Sequence, residues 1–452
     1  MTHTKAGLLK IHPKLQEAKK LIREAVKECQ QSINAVKPPS HELKTSYDEL
    51  IASFEAHRGA KLWYPYIGSG IGNGALVELL DGSVKYDFIS GIGVHVFGHS
   101  HPEIISASID AAISDTVMQG NLQQNADSAE LVDLLIKESG LDHCILTTSG
   151  AMANENAMKI ALQKNAPAHR ILAFDHCFAG RTWAISQITD KAKYREGIPE
   201  NVFVDYIPFF DENDPEGSTG RAVSTLKKHL SRHPKQHALM YFELIQGEAG
   251  FYKGSREFFL PLMKILKEHH IAILADEVQT FGRTSKLFAF QHFDLDEYID
   301  IVTIGKMTQV CATLWRHEYN PKPGLISQTF TGATASIHAA KAMLHLMVRD
   351  DHFGPDGKNM QLGNYFQEKL EKLDVKGPFG IGGMIAFTPF DGSFEKVNAF
   401  AHELYKNGVI AFIAGQNPTR IRFLLPTAAI TKKEIDEVLK IIEETLCTSS
   451  AH

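Results

Sequence analysis

From about residue 100 the chain alternates short apolar runs with stretches of helical period. "HCILTTS" (143–149), "RILAFDH" (170–176), "NVFVDYIPF" (201–209), "ALMYFELI" (238–245), "AILADE" (272–277) and "DIVTIGK" (300–306) have the length and flanks of buried strands. Between several of them, "AVSTLKKHLSRH" (222–233) and "FFLPLMKILKEHH" (258–270) place apolar residues at helical spacing. Strand and helix in alternation predict an α/β domain with a mostly parallel central sheet. "ASIHAAKAMLHLMVR" (335–349) predicts a long helix leaving that domain.

Upstream the pattern differs. Residues 14–34 put Leu15, Ala18, Leu21, Ile22, Ala25, Val26 and Cys29 on one helical face, to pack on the body or on a second subunit. "VKPPSH" (36–41) breaks the chain as a linker. "LVELLDGSVKYDFISG" (77–91) predicts a hairpin turning at Asp81-Gly82. The expected layout is an N-terminal helical segment (1–45), the first part of a small domain (46–95), a large domain (96–345) and a C-terminal small α/β domain (346–452). There are no internal repeats and no low-complexity tract.

Composition narrows the function classes. The chain has 452 residues, 44% apolar and 22% charged, with a formal net charge of −6. A chain this long suits more than one domain and a large core. Its charge balance gives no reason to expect nucleic acid or an anionic membrane. No uncharged apolar run approaches a bilayer span, and the N-terminus lacks the apolar core of a signal peptide. Cys29, Cys144, Cys177, Cys311 and Cys447 are scattered and include no CxxC pair, which suits a reducing compartment. A cytoplasmic protein is expected. The pairs His99/His101 and His269/His270 lack neighbours at metal-ligand spacing, so no metal site is expected.

Ligands of open α/β sheets gather at the carboxyl ends of strands. Here those ends deliver Ser149-Gly150-Ala151 at a helix start, Phe178 with Arg181, then Glu243, Asp276 and Lys306. The helix start offers N–H groups and a positive dipole end to a phosphate, although Ser149 serves equally as a plain helix cap. Phe178 suits stacking on a flat ring or core packing; Arg181 suits a carboxylate grip or a surface pair. Asp276 beside a pyridine nitrogen would hold that nitrogen protonated; as an ordinary aspartate it would cap a helix or meet an arginine. Lys306, just past an apolar strand, suits Schiff-base chemistry with an aldehyde, if it is not a solvent-facing loop lysine. Together these residues fit a charged, aromatic, carbonyl-bearing cofactor.

"FISGIGVHVFGHSHPEI", "TTSGAMANENAMKIA", "FAGRT", "ELIQGEAGF", "LADEVQTFGRTSKLFAF" and "DIVTIGKMTQ", in this order, resemble the class III aminotransferases, pyridoxal-phosphate enzymes of fold type I. The resemblance covers roughly residues 60–445. Within the family, "GKMTQVC" is most similar to lysine 6-aminotransferase, in the group acting on ornithine, 4-aminobutyrate and related amines. The resemblance implies that Lys306 holds the cofactor covalently and shuttles a proton, while Asp276 pairs with the ring nitrogen. It implies Val278 and Phe178 on the two ring faces, Gln279 at the ring hydroxyl, and Gly150, Ala151 and Ser149 at the phosphate. Glu243 matches the first acid of the EPIQGE motif. Thr329, in "SQTFTGATAS", matches a residue that reaches the partner subunit's phosphate, which implies a homodimer. Arg422 matches the arginine for the substrate α-carboxylate, Glu248 its shielding carboxylate, and Arg181 a second carboxylate anchor.

The implied reaction moves an amino group from an ω-amino or diamino acid to a keto acid such as 2-oxoglutarate. A racemase or aminomutase on the same site, or a catalytically quiet member, are the alternatives. Leu244 replaces the usual proline, Ala179 the usual histidine or tryptophan, and residues 307–334 are shorter than usual and altered, with "TGAT" for "GGNP". Those last changes predict a substrate-facing loop with a reshaped entrance, or a shortened loop that spoils activity.

Overall fold

The computed structural model describes residues 4–115 and 122–449, which fall into two compact units. One unit comprises residues 115–360 and 379–382; the other holds 1–114, 361–378 and 383–452.

The first unit is built on a seven-stranded sheet. Across it run His143–Thr147, Cys311–Trp315, Ile301–Ile304, Ala272–Glu277, His237–Phe242, Arg170–Phe174 and Phe203–Ile207. All six strands expected from the apolar runs form. Arg170–Phe174 pairs in parallel with its two neighbours, as do His237–Phe242 and Ala272–Glu277 with theirs. Their residues are almost wholly buried, because helices such as Gly150–Lys164 and Arg256–Glu268 cover the sheet.

One strand was missed. Cys311–Trp315 lies antiparallel between Ile301–Ile304 and His143–Thr147. Residues 307–334 are therefore not all the loop that sequence reading expected. "CATLW" is fully inside the sheet, with every residue buried. Thr334–Arg349 forms the long helix, burying Ile337, Ala340, Met343, Leu344 and Met347 at helical spacing.

In the second unit Leu76–Leu79 and Val84–Asp87 make the predicted hairpin. Gly82 sits in the turn at φ +78°, and Asp81 Oδ1 accepts from Ser83 N–H at 2.9 Å. Val409–Ile410 adds in parallel to Val84–Asp87. A second group of strands, Met384–Thr388, Arg420–Leu424 and Phe412–Ala414, is antiparallel. Helices Phe394–Lys406 and Lys432–Ser449 close its core with Val397, Phe400, Leu404, Ile435, Val438 and Ile442.

The N-terminal helix forms as Pro13–Gln30. Its apolar face is not inside this chain: Leu21 is 55% exposed and Ile22 41%. The residue it buries is Lys19, whose ammonium meets Asp110 of helix Pro102–Ala112 at 2.7 Å. Among the described residues no helix is long and apolar enough to cross a membrane.

Candidate active site

The carboxyl ends of the large unit's strands open on a cavity of about 310 Å³. Gly150, Ala151, Asn154, Phe178, Ala179, Gly180, Arg181, Glu243, Ile245, Asp276, Val278, Gln279, Thr280 and Lys306 line it. That volume is at the lower end for small-molecule sites. Nine of the residues singled out from sequence meet here: Gly150, Ala151, Phe178, Arg181, Glu243, Asp276, Val278, Gln279 and Lys306.

Helix Gly150–Lys164 points its first turn at the cavity. Ser149 caps it, its hydroxyl accepting from Met152 N–H at 3.2 Å. Gly150 is required by packing, because a Cβ there would meet Val278 Cγ1 at 2.7 Å. The first-turn N–H groups of a helix have no acceptor within it, so this end suits an anion.

Lys306 follows strand Ile301–Ile304 with φ +49°, a strained conformation for a lysine. Gly305 makes that turn tight: a Cβ there would lie 2.7 Å from Cys311 Sγ and 3.2 Å from Val278 Cγ1. The missed strand thus has a positional role, since Cys311 at its start walls the turn that presents Lys306.

Asp276 and Glu277 end the neighbouring strand, and strand alternation sends them to opposite faces. Asp276 lines the cavity. Asn154 Nδ2 and the Tyr241 hydroxyl donate to its Oδ2, the former at 2.8 Å, and Val278 N–H donates to Oδ1 at 2.8 Å. Burial pushes its pKa up; the Tyr241 hydroxyl, the Val278 N–H, Asn154 and the Lys306 charge oppose that. Glu277 is sealed away. It accepts from Ala289 N–H at 2.6 Å, Phe290 N–H at 2.8 Å and the Thr280 hydroxyl at 3.3 Å, and burial raises its pKa to about 7. It pins the start of helix Ala289–His292.

Glu243 joins two loops, accepting from Phe178 N–H at 2.7 Å and Gly247 N–H at 3.1 Å. Burial, with the Asp276 and Glu248 charges, raises its pKa to about 8. Glu248 is half-buried and does not line the cavity. Arg181 is exposed at the rim, its guanidinium 4.0 Å from the Tyr194 ring centre. Phe178 meets the same ring edge-on at 6.2 Å. Thr329 is exposed and outside the lining; its neighbour Gln328 accepts from Thr147 Oγ1 at 2.7 Å. Arg422 belongs to the other unit, buried on strand Arg420–Leu424 with its guanidinium 5.5 Å from the Phe412 ring centre.

Sequence reading overlooked Asn154, Tyr241 and Thr303. Each is in register with a chosen residue. Thr303 pairs with Asp276 across the sheet, and Tyr241 stands on strand His237–Phe242 two residues before Glu243, which follows the strand's end. Asn154 lies one helical turn after Gly150, on the face of that helix turned inward. A buried polar side chain in an otherwise apolar run was the available signal.

This donor set fits pyridoxal phosphate: an amine for an aldehyde, a buried acid for a ring nitrogen, and a helix start beside a glycine for a phosphate. The family model for class III aminotransferases matches residues 67–446. The acetylornithine aminotransferase of Bacillus subtilis is 30% identical over 391 residues, spanning 84% of this chain and 94% of that protein. A probable 4-aminobutyrate aminotransferase of the same organism is 29% identical over 406 residues, spanning 82% and 91%. Among solved structures, lysine aminotransferase from M. tuberculosis superposes with a TM-score of 0.79 at 21% identity, covering 88% of this chain and 99% of that one.

Proposed function

The chain belongs to the class III aminotransferases, pyridoxal-phosphate-dependent transaminases of fold type I, and on that premise we propose that it moves the amino group of an ω-amino or diamino acid to a keto acid such as 2-oxoglutarate. The observation that carries the reading is the convergence of Lys306, Asp276 and the start of helix Gly150–Lys164 on one cavity. The relatives' substrates, acetylornithine and 4-aminobutyrate, support the donor class.

Bound pyridoxal phosphate supplies an aldehyde that condenses with amines and a ring that takes up electrons. In this reading Lys306 would hold the cofactor through its aldehyde, and its amine would serve as the base that moves the proton at the reacting carbon. Asp276 would keep a proton on the ring nitrogen. Val278 and Phe178 would pack against the ring, Gln279 would meet its hydroxyl, and Gly150 and Ala151, with Ser149, would hold the phosphate through N–H groups. Glu243 fixes the backbone of Phe178. Arg181 would anchor a substrate carboxylate at the cavity rim, and carboxylate binding is proposed for Arg422 as well.

A homodimer belongs to the same proposal, Thr329 serving the neighbouring subunit's phosphate. The exposure of Thr329 and of Leu21 and Ile22 supports it. Five cysteines without a disulfide support a cytoplasmic setting.

The test uses the purified holoprotein. Borohydride reduction and peptide mapping should tag Lys306, and Lys306→Ala should abolish turnover while the fold persists. The visible band should disappear with lysine, ornithine, acetylornithine or 4-aminobutyrate and return with 2-oxoglutarate. A tag elsewhere, or a band unmoved by every donor, overturns the reading.

A further inference from the structure

Tyr241 is fully buried on the strand beside the one that carries Asp276. Its hydroxyl lies within hydrogen-bonding distance of two acceptors, the Phe178 carbonyl at 2.9 Å and Asp276 Oδ2. A phenol has one proton to give. The other donors around the acid are tied by geometry. Asn154 gives its two amide hydrogens to Asp276 Oδ2 and the Ala179 carbonyl, both at 2.8 Å, and its own oxygen takes the Thr303 hydroxyl at 2.7 Å. Three contacts fix that amide, and the Thr303 hydroxyl, 3.4 Å from Asp276 Oδ1, gives its proton to the closer amide oxygen. Val278 N–H is a fixed backbone group.

Burial works against an ionised Asp276, and the Tyr241 hydroxyl heads the interactions that oppose it. An acid and a pyridine nitrogen sharing one proton place it according to their relative basicity. Donors on the acid leave the proton on the ring; removing a donor draws the proton toward the acid.

We propose that Tyr241 is a positioning residue whose phenol proton keeps Asp276 ionised, and so keeps the shared proton on the cofactor's ring nitrogen. The Phe178 carbonyl is the competing acceptor. When the acid carries charge the phenol turns to it and releases the Phe178 carbonyl. The proposal rests on the reading that Asp276 faces the ring nitrogen.

The test compares holoenzymes loaded with isotope-labelled pyridoxal phosphate, reading the ring nitrogen by NMR. Tyr241→Phe should move the signal toward that of an unprotonated pyridine. It should also slow the donor half-reaction roughly 10- to 100-fold, the range for a lost hydrogen bond to a charged group. A ring-fluorinated tyrosine at the same position keeps the shape and donates more strongly, so it should move the signal the other way. Asp276→Asn is the control. If it shifts the signal while both changes at Tyr241 leave it as in the wild type, the role of Tyr241 is overturned and the reading of Asp276 survives. If Asp276→Asn leaves the signal unmoved, that reading falls and the proposal with it.

Discussion

Asp276 and Glu277 are neighbours on one strand, both buried and both pushed up in pKa by that burial, yet they face two different regions of the large unit. On Asp276's side the strand ends open into a cavity shared with Lys306, and most of its donors are side chains from other elements. Glu277 is fully buried. Two backbone N–H groups and a hydroxyl from its own following segment surround the carboxylate. A buried acid enclosed by its own chain is an architectural part. A buried acid held by converging elements at the mouth of a cavity has a direction in which it can act.

Removing one charge at a time is the strongest way to break this comparison. Asp276→Asn should lower the single-turnover rate by roughly 100- to 1,000-fold, as expected for losing a placed charge, an effect on chemistry larger than its effect on the denaturation midpoint. Glu277→Gln should do the reverse. An amide opposes one of the two N–H donors with its own, which costs about 1–3 kcal/mol of stability, while chemistry in the folded fraction is retained. Single-turnover kinetics and denaturant unfolding on the same samples decide it. A stability loss at Asp276 with unchanged chemistry would reverse the two assignments.

The pH dependence of stability is the next effect in size. The native Glu277 titrates near 7 against an ordinary value of 4.5, and Glu243 near 8 against the same value. Between these limits the native protein keeps protons that the unfolded chain has released. Native binding exceeds unfolded binding there, so stability falls as pH rises through the window. One such group contributes a slope of up to about 1.4 kcal/mol per pH unit. Unfolding curves between about pH 4.5 and 8 should show this decline, and Glu277→Gln should flatten its lower part. An unchanged slope would mean that Glu277 is ionised in the fold.

What the sequence disclosed follows from which forces are local. Apolar runs of strand length, and the residues that end them, are written in neighbouring positions, so the six strands and seven of the nine cavity residues were legible, while Val278 and Gln279 came only with the family resemblance. The strand Cys311–Trp315 was not. "CATLW" has no turn signal that separates a strand from a loop, and only its fit between two distant strands makes it one. The N-terminal helix was legible as a helix, but periodicity states which face is apolar and not what covers it; Leu21 and Ile22 remain exposed in the single chain. Tyr241 and Asn154 were hidden because a tyrosine in an apolar strand and an asparagine in a helix read as packing. Their meaning comes from Asp276, 35 and 122 positions away along the chain.

Ser149 is the smallest test, and it asks whether both behaviours meet in one residue. Its hydroxyl caps helix Gly150–Lys164, an architectural role like that of Glu277. In the proposed function it also stands next to the phosphate, on the side of Asp276. Capping alone predicts that Ser149→Ala costs about 1 kcal/mol of stability, the same with and without cofactor. A hydroxyl that also reaches the phosphate adds a second cost that appears only when pyridoxal phosphate is bound, because a ligand held more weakly stabilises the fold less at a given concentration. The expected result is the second: a loss of about 1 kcal/mol in the apoprotein, growing once cofactor is added. Equal losses in the two forms would confine Ser149 to its cap and leave the phosphate to the backbone of Gly150 and Ala151.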